Sequence, residues 1–190
     1  GIGGLIGTLI AEYDFSVSIT NAYSTATVSG TQAGNNNYGG GFIGGISQFV
    51  VGATTQSLSI TSAYATGNVS ITAGIAGGFV GYIDSDGGTI SFTRVHASGS
   101  ANASDEAGGV IGRIDYANTS LGIIKSYGTG ASSASYAGGF VGAVYGDVTG
   151  SSFSDSYAQG NATGTMASGG FASTVSTNTT ATITFTRGYA

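Results

Sequence analysis

Polar and apolar positions alternate along this chain in short bursts. Stretches such as Phe15-Ser16-Val17-Ser18-Ile19-Thr20 and Gln56-Ser57-Leu58-Ser59-Ile60-Thr61 put every second residue on one face. That period marks a half-buried β-strand. The bursts are rich in β-branched and aromatic residues, with Gly, Asn and Asp at the joints, as strands and turns require. No apolar spacing of i, i+3, i+4, i+7 is sustained, and glycine this frequent costs about 1 kcal/mol per interior helix site. The pattern predicts strands throughout.

The bursts recur in register with a five-residue motif: Gly-Gly, two apolar residues, Gly. It reads Gly3-Gly4-Leu5-Ile6-Gly7, Gly40-Gly41-Phe42-Ile43-Gly44, Gly77-Gly78-Phe79-Val80-Gly81, Gly108-Gly109-Val110-Ile111-Gly112 and Gly138-Gly139-Phe140-Val141-Gly142, with a worn copy at Gly169-Gly170-Phe171-Ala172-Ser173. Successive copies start 37, 37, 31, 30 and 31 residues apart. A period near 31 identifies a repeat protein. A second motif follows each copy: an apolar residue, three residues, then an aromatic. The pairs are Ile19 with Tyr23, Ile60 with Tyr64, Phe92 with His96, Ile123 with Tyr127, Phe153 with Tyr157, and Phe185 with Tyr189. One unit of this size cannot bury a core, but stacked units can. The expected architecture is therefore all-β: residues 1–190 as one parallel β-solenoid of about six coils, starting near residues 3, 40, 77, 108, 138 and 169, with three short strands each. At about 4.8 Å per coil the rod is on the order of 30 Å long. Extra residues in Gly30–Gly39, with Asn35-Asn36-Asn37, and in Gln48–Gln56 are expected as corner loops.

Strict alternation poses a problem at the second motif. Two residues after the apolar position stands a polar column: Asn21, Ser62, Arg94, Lys125, Asp155 and Arg187. If the apolar residue points inward, so would these, and charge in a core is very costly. A bulge or corner is expected to break the phase. Either Ala22, Ala63, Val95, Ser126 and Ser156 then point inward and the tyrosines lie at the surface, or the tyrosines are buried with each hydroxyl bonded at a corner. Burial of Tyr64 and Tyr127 decides between the two. Along the polar column, Lys125, Asp155 and Arg187 alternate in sign, so neighbours can pair, while Arg94 beside Lys125 makes a small cationic spot.

Composition narrows the functional classes. The 190-residue chain is 41% hydrophobic but only 7% charged, with 36 glycines, no proline, no cysteine and a net charge of −5. Ample aromatic and β-branched residues argue against disorder. The acidic balance, without a basic stripe, argues against nucleic acid as a partner and against anionic membrane surfaces. Disulfides and thiolate metal sites are absent with the cysteines. No apolar run is long enough to insert in a membrane as a helix, and no signal peptide is visible. Beginning and ending inside a repeat suggests a piece or subunit of a longer assembly.

The glycine motif together with Ile60-Thr61-Ser62-Ala63-Tyr64-Ala65-Thr66-Gly67-Asn68-Val69-Ser70 resembles GLUG-motif repeats. The resemblance covers nearly the whole chain, with His96 in place of Tyr and Ser173 in place of the last glycine as departures. It implies bacterial or archaeal surface adhesins and exoproteins in which the repeats form a stalk: an extracellular or cell-surface setting, a structural or adhesive part, and no active site within the repeats.

The residues themselves offer few sites. His96 is the only histidine, and the register supplies neither nucleophile nor carboxylate for it. The column Tyr23, Tyr64, His96, Tyr127, Tyr157 and Tyr189 is a candidate surface stripe. Asp84-Ser85-Asp86-Gly87-Gly88 resembles a cation loop, and Asp115 falls one coil beyond Asp84, so Asp84, Asp86 and Asp115 are weak candidates for Ca²⁺. The nonapeptide of calcium-binding β-rolls is missing, and Asp-Gly is an ordinary turn. Thr20, Thr61, Thr93 and Thr186, with Ser154 and an interruption at Ile124, form a hydroxyl column of the kind an ice-binding face uses. Asn68, Asn102, Asn118, Asn161 and Asn178 head sequons for N-glycosylation. The expectation is a non-enzymatic extracellular β-solenoid segment without a cofactor. Its partners would be copies of itself or further repeats end to end, and surface glycans. A carbohydrate- or ice-binding module is the alternative.

Overall fold

The computed structural model describes residues 1–11, 14–31, 37–48, 56–117, 119–146, 150–177 and 182–190. The extra residues 32–36 and 49–55, and the sequon residues Asn118 and Asn178, lie outside the described residues. The chain is a parallel β-solenoid with three sheets and, among the described residues, no helix. The motif sheet stacks Ile6–Ala11, Ile43–Gln48, Val80–Asp86, Ile111–Ala117, Val141–Gly146 and Ala172–Ser176 in that order. The ladder sheet stacks Phe15–Thr20, Gln56–Ala65, Thr89–Ala97, Ser120–Ile124, Ser151–Ser154 and Ile183–Thr186, with short continuations at Tyr23–Ser24, Tyr127–Gly128 and Tyr157–Ala158. The return sheet is broken into two short strands per rung, for example Val69–Ile71 and Ile75–Gly77, until these merge in Ser132–Gly138 and Ala162–Gly169.

Register is continuous from rung to rung. Ile19, Ile60, Phe92, Ile123, Phe153 and Phe185 stand one above another, as do Ile6, Ile43, Val80, Ile111, Val141 and Ala172. The inner rungs of these columns, with Phe42, Phe79, Val110 and Phe140 of the glycine motifs, form one core in which Phe42, Phe79, Phe92 and Phe140 are fully buried, whereas Leu5 and Phe185 at the ends are exposed. Phe42 stacks on Phe79 at 4.6 Å, and Phe140 on Phe171 at 4.7 Å. A smaller apolar cluster around Val69, Ile71 and Ala107 fills the space under the return sheet.

The glycine motif makes the corner between the return and motif sheets. In the four inner copies its two apolar residues are consecutive yet both buried, so the chain must turn inside the motif. The turn is tied by shared carbonyls. The Val110 oxygen accepts from Phe79 N at 2.8 Å and from Val80 N at 2.9 Å, and the Phe140 oxygen accepts likewise from Val110 N and Ile111 N. Each such oxygen uses both lone pairs. Glycine is required because successive corners nearly touch: a Cβ on Gly78 would collide with the carbonyl oxygen of Gly109. At the worn copy, the Ser173 hydroxyl donates to the Gly142 carbonyl at 2.5 Å.

Candidate functional site

The phase problem at the second motif is resolved by backbone conformation. Asn21, Ser62, Arg94, Lys125, Asp155 and Arg187 all have positive φ, between 50° and 55°. These six are the only non-glycine residues with positive φ among the described residues. The left-handed region costs an L-residue roughly 1–2 kcal/mol, yet it is used at the same place in every rung. One left-handed residue swings the chain, so the residue before it and the residue after it no longer alternate as in a strand. The polar side chain is left outside, and the next residue turns inward: Ala63, Val95, Ser126 and Ser156 are all buried.

The serines have a second task at this bend. Ser126 Oγ accepts from Val95 N at 3.2 Å and donates to the Ile124 carbonyl at 3.0 Å, bridging over Lys125. Ser156 repeats this toward Ser126 N and the Ser154 carbonyl. The bend's backbone groups are thus satisfied inside the core.

The aromatic column consequently lies at the surface. Tyr64, His96, Tyr127 and Tyr157 are partly buried, and the outermost rings, Tyr23 and Tyr189, are 59% and 60% exposed. Of the two expected arrangements, the surface ladder is the one adopted. The six rings form one continuous stack: centroid separations are 5.2, 5.0, 4.8, 5.1 and 4.9 Å from Tyr23 to Tyr189, and no neighbouring pair departs from parallel by more than 11°. Each inner ring has both faces covered by its neighbours. What the ladder shows to solvent is ring edges and hydroxyls. Burial lowers the His96 pKa below its ordinary value, which favours the neutral form of the ring in the stack.

Beside the ladder runs the left-handed column. Arg187 makes a bidentate ion pair with Asp155, and its hydrogen bond holds the Asp155 carboxyl below the usual range. Arg94 Nε donates to Ser62 Oγ at 3.1 Å. Of the expected sign-alternating pairs, the ion pair formed is Arg187–Asp155; Arg94 and Lys125 are adjacent on the column and exposed.

A cluster that pattern reading missed lies on the motif sheet. Arg113 grips Asp115 through Nε and a second nitrogen at 2.7–3.0 Å, and Tyr82 donates its hydroxyl to Asp115 Oδ2 at 2.7 Å. The guanidinium lies 4.7 Å from the Tyr145 ring centre and 3.5 Å from Glu106, which is buried. Burial raises the Glu106 and Tyr82 pKa values. The recess beside it, about 410 Å³, is lined by Glu106, Arg113, Tyr136 and Met166 among others. The signal was present as equal offsets, with Tyr82 in register with Arg113 and Asp84 with Asp115 and then Tyr145. It was obscured because these outward positions share no residue type.

The remaining candidates fall as follows. Asp84 and Asp115 are in register, and burial, then the Asp115 charge, raises the Asp84 pKa. Both Asp115 oxygens are engaged by Arg113, and no group of three or more His, Cys, Asp or Glu able to hold a metal occurs among the described residues. Asn68, Asn102 and Asn161 are exposed along the return sheet, as are Ser70, Ser104 and Thr163 of their sequons. The hydroxyl column Thr20, Thr61, Thr93, Ile124, Ser154, Thr186 is in register, flanked by Ser18, Ser59, Ser91, Gly122, Ser152, Thr184 and by Ser16, Ser57, Thr89, Ser120. Comparison with family models, with curated proteins and with solved structures returns no match.

Proposed function

We propose that the chain is a structural and adhesive segment of an extracellular β-solenoid of the GLUG-repeat kind, a stalk, adhesin or filament-forming subunit without catalytic activity. The observation that carries this reading is the aromatic ladder: six rings held in register along one outer edge of a stacked rod. A buried core needs no such column, and the ladder gives the rod a continuous outer contact line. The outermost strands of each sheet have one hydrogen-bonded neighbour each among the described residues, so a further rung, from the same polypeptide or another, continues the same register. Most ionisable side chains with shifted pKa values, among them Arg113, Glu106, Tyr82, Asp155 and Arg187, are engaged with one another, and His96 and Tyr157 are stacked in the ladder, which favours support over chemistry. Immunogold labelling of intact source cells, with protease shaving, tests the reading. Surface label lost on shaving is expected; label confined to the cytoplasm overturns it.

The alternative, a carbohydrate- or ice-binding module, has one observation in its favour: the three in-register Ser and Thr columns of the ladder sheet carry no charged residue. Thermal hysteresis of the purified protein is the discriminating measurement.

A further inference from the structure

Three of the four Lys and Arg side chains of this acidic chain stand on one column, Arg94, Lys125 and Arg187, beside the aromatic ladder. The acidic groups Asp84, Asp86 and Asp115 lie on the motif sheet and Glu106 on the return sheet. The cationic column itself holds one carboxylate, Asp155, beside Lys125. Arg187 is taken up by Asp155, which leaves Arg94 and Lys125 as the exposed cationic pair, one rung apart and flanked by Tyr64, His96 and Tyr127. The Arg94 terminal nitrogens make no hydrogen bond among the described residues, its Nε alone being used on Ser62.

The ladder's geometry determines what this stripe attracts. With ring faces covered at 4.8–5.2 Å, the edges face outward, and an aromatic edge carries the positive part of the quadrupole. The tyrosine hydroxyls at those edges are hydrogen-bond donors. Edges, hydroxyls, guanidinium and ammonium all favour an anion. Stacking of a sugar face or a nucleobase would need open ring faces, and the inner rings have none. Arg94 and Lys125 stand one rung apart in line with the ladder, so a linear anion with one charge per residue, at about the 4.8 Å spacing of the rungs, matches them.

We infer that the edge formed by Arg94, Lys125, Tyr64, His96 and Tyr127 binds linear acidic polysaccharide through its carboxylates. This names the partner class of the adhesive reading above and rests on it. The probe is polygalacturonate, compared with its methyl-esterified form and with oligothymidylate of similar length, in affinity electrophoresis at low and high salt. The expected result is retardation by polygalacturonate alone, abolished at high salt, where exposed charges are screened. The R94S/K125S double variant folds, because Ser62 already occupies this left-handed column, and binds about fivefold more weakly. Y64F/Y127F keeps the stack and loses hydroxyl donors, with a smaller loss. Equal retardation by the esterified polymer, equal or stronger retardation by oligothymidylate, or unchanged binding by R94S/K125S overturns the inference. None of these outcomes alters the labelling result that tests the structural reading.

Discussion

The His96 imidazole lies 4.8 Å from the Tyr127 ring and 5° from parallel with it. The one histidine thus serves as a flat ring in a tyrosine stack. Because burial lowers its pKa, the folded chain binds a proton less readily than the unfolded chain. The stability this residue supports is fully present above the unfolded histidine value of about 6.5 and is lost as pH falls through the folded value. H96Y completes the ladder with a ring that does not titrate there. Thermal melts at pH 5 and pH 8 should show the variant gaining about 0.5 kcal/mol more at the acidic value; parallel pH profiles would refute the assignment.

Corner glycines and strand glycines should respond oppositely to substitution. G78A forces a methyl group onto the Gly109 carbonyl and should cost about 3 kcal/mol. Gly122 on the ladder sheet has nothing within 4 Å of its missing Cβ. G122S fills the gap between Ser91 and Ser152 in its own hydroxyl column and should gain about 0.5 kcal/mol. Urea denaturation of both variants measures the contrast.

The left-handed column predicts a sign reversal between two small changes at one exposed site. Lys125 has φ 53°. K125G relieves the backbone cost and should raise stability by up to about 1 kcal/mol, while K125V should lower it by about 1–2 kcal/mol. If glycine and valine rank the other way in chemical denaturation, the bend is not left-handed at this rung.

On the motif sheet, D115N removes the bidentate acceptor of Arg113 and should cost about 1–3 kcal/mol. It also removes the charge that is second to burial in raising the Asp84 pKa. A carboxyl with a raised folded pKa stabilises the fold at low pH, and that contribution is lost as pH rises through the folded value. In the variant, the Asp84 titration followed by carbon NMR should move down, and the loss of stability with rising pH should become shallower.

The fold was largely legible in the residues because each rung repeats the same requirement. Phe42, Phe79 and Phe140 recur between glycines since each fills the same core slot, and the polar column signalled a break of phase, because charge at Arg94 or Lys125 cannot point inward. Pattern reading left the orientation of the tyrosines open. That orientation depends on one dihedral per rung, and a left-handed angle at Ser62 or Arg94 leaves no mark in residue type as glycine would. The Arg113–Asp115–Glu106 network was hidden for a related reason. Its members occur once each, so the repeat does not announce them, and only the register brings Tyr82 and Tyr145 to either side of the same guanidinium.

The doubly used carbonyls at the corners bear on how such a rod fails under load. The bonds from Phe79 N and Val80 N to the Val110 oxygen run from rung to rung, along the stacking direction. Tension applied along that direction therefore loads the junctions in series, and the weakest opens first while the others keep their geometry. The rod should peel by whole rungs in discrete steps of extension, each releasing about one repeat of chain.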